Sequence, residues 1–238
     1  MKLSWLIIGA PRCGTSTLFA NIVKHPDIGG QGQTKEIAYF SDADRFHRGL
    51  KWYRKQLKGK LLGEATPRYL AEPRVAFRVS KAFPEVKLIA LVRDAPERAY
   101  SAWAQDYRLG RLRPQEETFK QAIESEIERL ESGRVIDIPS PDRRFVWPGL
   151  YRQHLERWLM HFPSKQLLVL KSERLFTNHR AVLADVFQFI GVDDSLDLEV
   201  ERRTPSIRFA DQDVPVPPSA DPETMNRLLH YYRDRADG

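Results

Sequence analysis

The 238-residue chain has one cysteine, Cys13, so no disulfide can close within it. It has no apolar run long enough to cross a membrane. The stretch after the initiating methionine, Leu3 to Ile8, is short and gives way to Gly9 and Pro11. That is neither the length nor the flank of a signal peptide, and cytoplasmic residence is the expectation. No internal repeat is present, and the nearest thing to a low-complexity tract is Val214-Pro215-Val216-Pro217-Pro218. The net charge is +6, yet there is no Lys/Arg block. The charge points to an anionic partner, whether nucleic acid, anionic lipid or a phosphorylated or sulfated small molecule, without deciding among them, and bases interleaved with acids weaken the nucleic-acid reading. The six histidines show no ligand spacing on a shared helix face. His154 and His161, seven apart, read as packing or surface residues.

What is there is an ordinary globular composition, 42% apolar and 29% charged, at a length suited to one domain over residues 1–238. Strand-length apolar runs occur at Leu3–Ile8, Lys60–Gly63, Val86–Val92 and Gln166–Leu170. They are nearly continuous rather than alternating, as strands covered on both faces should be. Helical patterns lie between and after them at Thr15–His25, Glu72–Phe83, Pro96–Leu109, Thr118–Ser132, Leu150–Phe162, His179–Ile190 and Pro222–Arg235. In the first, Leu18 with Ile22 and Phe19 with Val23 share a face before Pro26 stops the helix. Pro96 and Pro222 suit first-turn positions, where a missing N–H costs nothing. Strands alternating with helices predict an α/β, P-loop-like three-layer fold, its central parallel sheet flanked by helices. Ligands of such sheets bind beyond the carboxyl ends of the strands.

Two strand ends carry anion-binding chemistry. Gly9-Ala10-Pro11-Arg12-Cys13-Gly14-Thr15-Ser16-Thr17 follows the first strand and opens a helix. Its Gly-x-x-x-x-Gly spacing is that of a Walker A loop, whose backbone N–H groups and helix N-terminus converge on phosphate oxygens. A nucleoside triphosphatase would have lysine after the second glycine, and this chain has Thr15. The loop's only cation is Arg12. The second end is Leu88 to Ser101, where Arg93 closes a strand and Ser101 falls in the second turn of the next helix. A guanidinium fork and a hydroxyl there suit a second phosphate, although Arg93 could equally pair with Asp94 or Glu97 on the surface. Asp94 in a Walker B role lacks the Lys-Ser/Thr pair that would complete a magnesium site.

With these residues the chain resembles the sulfotransferases that use 3′-phosphoadenosine 5′-phosphosulfate (PAPS), particularly the heparan-sulfate-type branch and its bacterial relatives. The family's 5′-phosphosulfate loop, G-x-x-[KR]-x-G-T-[ST], is matched by Gly9 to Ser16. Its 3′-phosphate motif, an arginine at a strand end with a serine eight residues on, is matched by Arg93 and Ser101. Lys35–Phe40, Gly63–Tyr69 and Gly149–Trp158 also agree, in order, within a resemblance running from about Leu3 to Val192.

The resemblance implies PAPS as co-substrate, adenosine 3′,5′-bisphosphate as product, an unidentified acceptor and no metal. Arg12, Cys13, Gly14, Thr15, Ser16 and Thr17 would hold the 5′ end, and Arg93 with Ser101 the 3′-phosphate. Glu36 would be the general base. Arg12 would stand where relatives often have lysine, stabilising the leaving phosphate but unable to act as an acid. Many relatives carry histidine two places after the glutamate, where this chain has Ala38. Lys35 is a further helper candidate. Thr66, Pro67 and Tyr69 are expected in the cleft wall, whereas Trp103, Tyr107 and Trp158 at helical spacing read as core. The region from about residue 200, with Arg202, Arg203 and Arg208, would serve as a lid or contact the acceptor. A P-loop kinase-like nucleotide enzyme and a basic polyanion-binding protein are the competing classes.

Overall fold

The computed structural model describes residues 2–32, 36–132, 144–196, 198–201 and 215–236. The chain divides into two compact units, Met1–Val92 with Leu155–Ser206, and Arg93–His154 with Ile207–Gly238.

All six strands described belong to the first unit: β1 (Leu3–Gly9), β2 (Ile28–Gln31), β3 (Leu57–Lys58), β4 (Leu61–Ala65), β5 (Lys87–Val92) and β6 (Leu167–Lys171). They form one sheet in the order β3-β2-β4-β1-β5-β6. Every pairing is parallel except β2 with β3. β1 is central, with Leu6 opposite Glu64 of β4 and Leu88 of β5. Covered on both faces, it has Trp5, Leu6, Ile7 and Ile8 all fully buried, which is why it reads as an unbroken apolar run.

The close packing is visible at glycine. A Cβ on Gly63 would lie 2.1 Å from the Trp5 ring, so β4 accepts that indole only because position 63 has no side chain. The Trp5 Nε1–H is satisfied by the Leu61 carbonyl at 3.0 Å.

The sheet is the expected central parallel one, with a single antiparallel pairing at its β2–β3 edge. β2 contains Gly29 and Gly30: a Cβ on Gly29 would meet the Lys58 carbonyl oxygen at 2.4 Å, and one on Gly30 the Val23 side chain at 2.9 Å. Gly29 thus permits close strand approach, and Gly30 close approach of the segment carrying Phe19 and Val23. The two-residue β3 is too short to leave a periodic signal.

The helices of the first unit are α1 (Thr15–Ile22), α2 (Ala43–His47), α3 (Gly49–Lys55), α4 (Val75–Ala82), and later α8 (Ser172–Thr177) and α9 (His179–Ile190). α1 stops three residues before His25, whose ring is locked between the Asp193 carbonyl and the Asp27 N–H. The second unit is built on α5 (Ala95–Arg108), α6 (Phe119–Glu131) and α10 (Pro222–Asp234), while α7 (Tyr151–Leu159) begins in it and ends in the first. Asp94, Thr118 and Asp221 cap α5, α6 and α10 by accepting an N–H three residues on, a contribution of about 1 kcal/mol each. Among the described residues no helix is long and apolar enough to cross a membrane.

Candidate active site

The loop after β1 is shaped by residues that tolerate left-handed backbone. Gly14 caps α1 at φ 86°, and Arg12, which is not glycine, sits at φ 70°. Gly9 is required for a different reason: a Cβ there would press to 2.4 Å on Leu70 Cβ and 2.9 Å on the Pro67 carbonyl. The Ala10 N–H ties the loop to the Leu91 carbonyl of β5 at 2.8 Å. No side chain caps α1, and its first turn contains no acid. A helix start with no carboxylate in it, beside a cationic Arg12, suits an anionic group. Thr15 and Thr17 are buried, Ser16 and Arg12 half-buried, and Cys13 is fully buried with its thiol directed at the Pro11 carbonyl.

Glu36 and Ala38 also adopt left-handed backbone, φ 57° and 52°. Glu36 is half-buried, and its carbonyl accepts Arg45 Nη1 at 3.1 Å. The same guanidinium nitrogen reaches the Ile37 carbonyl at 2.6 Å. Beneath this segment lies a fully buried carboxyl that the sequence reading left without a role. Glu64, on β4, accepts from Tyr53 Oη at 2.8 Å, Thr66 Oγ1 at 2.9 Å and Tyr69 Oη at 3.1 Å, and from the Ile37 N–H. Burial drives its pKa up to about 7, and these donors restrain the rise. Burial, and then the Glu64 charge, push the Tyr53 and Tyr69 hydroxyls well above the usual tyrosine range.

Thr66, Pro67 and Tyr69 are therefore core, not cleft wall: their polar atoms are consumed by Glu64 and the 36–40 backbone. The available signal was a carboxylate directly after a strand-length apolar run, a position in which burial is rare unless the charge is partnered.

In the second unit Arg93 is the first residue past β5 and Ser101 lies in the second turn of α5. The Arg93 N–H donates to Tyr151 Oη at 3.4 Å, and its guanidinium pairs with Glu97 at 3.2 Å, one of the surface pairings its spacing allowed. Asp94 is occupied as the α5 cap. Trp103 and Trp158 are fully buried, with indole N–H groups on the Glu116 and Leu70 carbonyls, and His154 is buried against the Trp147 carbonyl. Lys35, Arg202, Arg203 and Arg208 lie outside the described residues. Among the described residues no three His, Cys, Asp or Glu side chains gather as metal ligands.

Residues 4–206 match the family model described as "Sulfotransferase domain". The chain belongs to the sulfotransferase family. Among curated relatives, this sulfotransferase-family chain is 35% identical over 191 residues to mouse heparan sulfate glucosamine 3-O-sulfotransferase 3B1, covering 79% of the chain and 45% of the relative. It is 30% identical over 199 residues to human bifunctional heparan sulfate N-deacetylase/N-sulfotransferase 3, covering 79% of the chain and 22% of the relative. It thus spans less than half the length of either relative.

Among solved structures, the sulfotransferase from Alicyclobacillus acidocaldarius superposes with a TM-score of 0.79 at 24% identity, covering 100% of this chain and 94% of that one. The mouse sulfotransferase SULT7A1, complexed with PAP, gives 0.53 at 17% identity, covering 96% and 63%. These two likenesses show the fold: a mostly parallel central sheet flanked by helices, as the apolar runs implied.

Proposed function

We propose that this chain transfers a sulfuryl group from PAPS to an acceptor hydroxyl. The observation that carries the reading is the loop after β1. It combines the family's Gly-x-x-Arg-x-Gly-Thr-Ser spacing with an α1 start free of acids and capped by a left-handed glycine. Backbone N–H groups of Cys13 to Thr17 hold the 5′-phosphosulfate, and Arg12 stabilises charge gathering on the leaving phosphate. Arg93 and Ser101 take the 3′-phosphate, for which Arg93 exchanges its surface pairing with Glu97. Glu36 removes the acceptor's proton as its oxygen approaches sulfur in line. The donor supplies the sulfuryl group and no metal is needed. A carbohydrate, a lipid glycan or a small metabolite supplies the hydroxyl, and the relatives named for heparan sulfate favour the carbohydrate.

Thermal unfolding with three ligands tests this. Adenosine 3′,5′-bisphosphate at a hundred times its dissociation constant is expected to add about 2.7 kcal/mol of stability. Stabilisation by ATP with magnesium but not by the bisphosphate would make the chain a kinase-like enzyme, and by RNA alone a polyanion binder. Arg93→Ala is expected to weaken the 3′,5′-bisphosphate far more than adenosine 5′-phosphate; equal losses would remove Arg93 from the site. Glu36→Gln is expected to keep bisphosphate binding and lose most turnover.

A further inference from the structure

Residues 36–40 belong to neither helix nor strand, and two of them hold a left-handed backbone without being glycine. Each such residue costs about 1–2 kcal/mol, so the conformation persists only where its surroundings impose it. On its amide side the segment's contacts converge on a single carboxyl. The Ile37 N–H donates directly to Glu64. The Ala38 N–H donates to Thr66 Oγ1 at 3.2 Å, and that hydroxyl donates onward to Glu64 Oε2 at 2.9 Å. The Phe40 N–H donates to Tyr69 Oη at 3.2 Å, and that hydroxyl donates onward to Glu64 Oε1 at 3.1 Å. Three amides within four residues thus terminate on one buried group, one directly and two through a hydroxyl relay.

The carbonyl side is gripped independently, by Arg45 at Glu36 and Ile37 and by Arg78 Nη1 at Phe40, 2.7 Å. Glu64, Thr66, Tyr69 and Tyr53 have no exposed surface at all. A carboxyl serving only to fill space would be an expensive choice, since an apolar residue of similar volume packs as well without desolvation. Its value lies in being an acceptor for four donors at once. An amide in its place cannot do the same. The NH₂ of glutamine must face either the tyrosine hydroxyls or Thr66, so at least one relay loses its acceptor.

We propose that Glu64 is a positioning residue for the transfer reaction. Through Thr66 and Tyr69 it sets the backbone of residues 36–40 and so aims the Glu36 carboxylate, without touching donor or acceptor. The inference rests on the reading of Glu36 as the base.

The test uses Glu64→Gln, Thr66→Val and Tyr69→Phe, so that failure of one variant to fold does not end it. Three quantities are read: hydrogen exchange of the peptide spanning residues 36–42, affinity for adenosine 3′,5′-bisphosphate, and release of labelled sulfate from radiolabelled PAPS to water. Each variant is expected to speed exchange in that peptide on the order of tenfold and to cut turnover about 10–100-fold. Bisphosphate affinity and exchange in β1 stay within about threefold, because the anion loop is not held by Glu64. In a Glu36→Gln background, adding Glu64→Gln is expected to lower turnover by less than about threefold, since the group it aims is already gone.

Unchanged exchange and turnover in all three variants would overturn the proposal. So would faster exchange throughout the first unit with a matching loss of bisphosphate affinity, which is the signature of a merely structural residue. If Glu36→Gln alone retains turnover, the assignment of the base has failed instead. The exchange pattern still decides by itself whether Glu64 holds the segment.

Discussion

Glu64 in the first unit and Glu126 in the second are both buried carboxyls, and the two are solvated by opposite kinds of donor. Glu64 in the first unit is surrounded mainly by hydroxyls, those of Tyr53, Thr66 and Tyr69. Glu126 in the second accepts four consecutive backbone N–H groups, from Arg144 at 3.2 Å, Phe145 at 2.7 Å, Val146 at 3.0 Å and Trp147 at 2.8 Å. Burial raises the pKa of both, and the backbone donors pull Glu126 back, helped by the Arg98 charge. The difference lies in what happens on protonation. A hydroxyl can turn from donor to acceptor, so the shell of Glu64 can re-form around a carboxylic acid. An amide N–H cannot turn. Protonating Glu126 would set its O–H against an amide and orphan a buried donor. Glu126 is therefore a fixed anion that organises residues 144–147, whereas Glu64 can carry a proton near neutral pH.

The largest effect that would break this contrast is at Glu126. Glu126→Ala is expected to cost about 3–5 kcal/mol in urea unfolding, because three buried N–H groups, the half-buried Arg144 N–H and the fully buried Arg98 lose their anion together. A loss under about 1 kcal/mol would show that water solvates residues 144–147 equally well.

The next effect is a pH dependence. Glu64 titrates near 7 in the folded chain and near 4.5 unfolded, a difference of about 3 kcal/mol. Since the folded pKa is the higher, ionisation penalises folding only as pH rises. Below about 4.5 the group is neutral in both states, and from there to about 7 the unfolded chain alone releases the proton. Wild-type stability relative to Glu64→Gln should therefore fall as pH is raised from 5 to 8. A difference flat with pH would mean that Glu64 is ionised throughout.

Removing one donor is a smaller change. Tyr53→Phe is expected to lose about 1.5 kcal/mol and to move that pH midpoint upward, as one bond favouring the charged form disappears. The smallest effect is at an exposed carboxylate, which neither buried pattern describes. Glu97→Gln should change stability by no more than about 0.5 kcal/mol, its pair with Arg93 being solvent-screened. It should nonetheless tighten bisphosphate binding, by releasing the Arg93 guanidinium.

Much of this architecture is legible from residue order. β1 and β5 announce themselves as apolar runs because strands covered on both faces have no polar side to show, and β6, at the sheet edge, is apolar although Val169 is exposed. The Arg93–Glu97 pair follows from four-residue spacing, and the glycine spacing of residues 9–14 marks a tight strand-to-helix loop with Gly14 left-handed at the start of α1. β2 and β3 are not legible, because glycine signals a turn and close packing with the same letter. Glu64 is missed for a deeper reason. Spacing tells which residues share a face, but its partners come from α3, from the turn after β4 and from residues 36–40, brought together only by the sheet. The same ambiguity misplaced Thr66 and Tyr69, whose polar atoms suit a cleft or a buried relay equally.

Asn21 of α1 bonds residue 201 twice, its Nδ2–H₂ to the Glu201 carbonyl at 2.8 Å and its Oδ1 from the Glu201 N–H at 2.8 Å. Lys24 adds the Glu199 carbonyl and the Glu201 carboxylate. One amide side chain engaging both the N–H and the C=O of a single residue works as a mooring. It lies seven residues, roughly 10 Å of helix, from Gly14 and the anion loop. Asn21→Ala would remove both bonds at once and loosen residue 201 from α1.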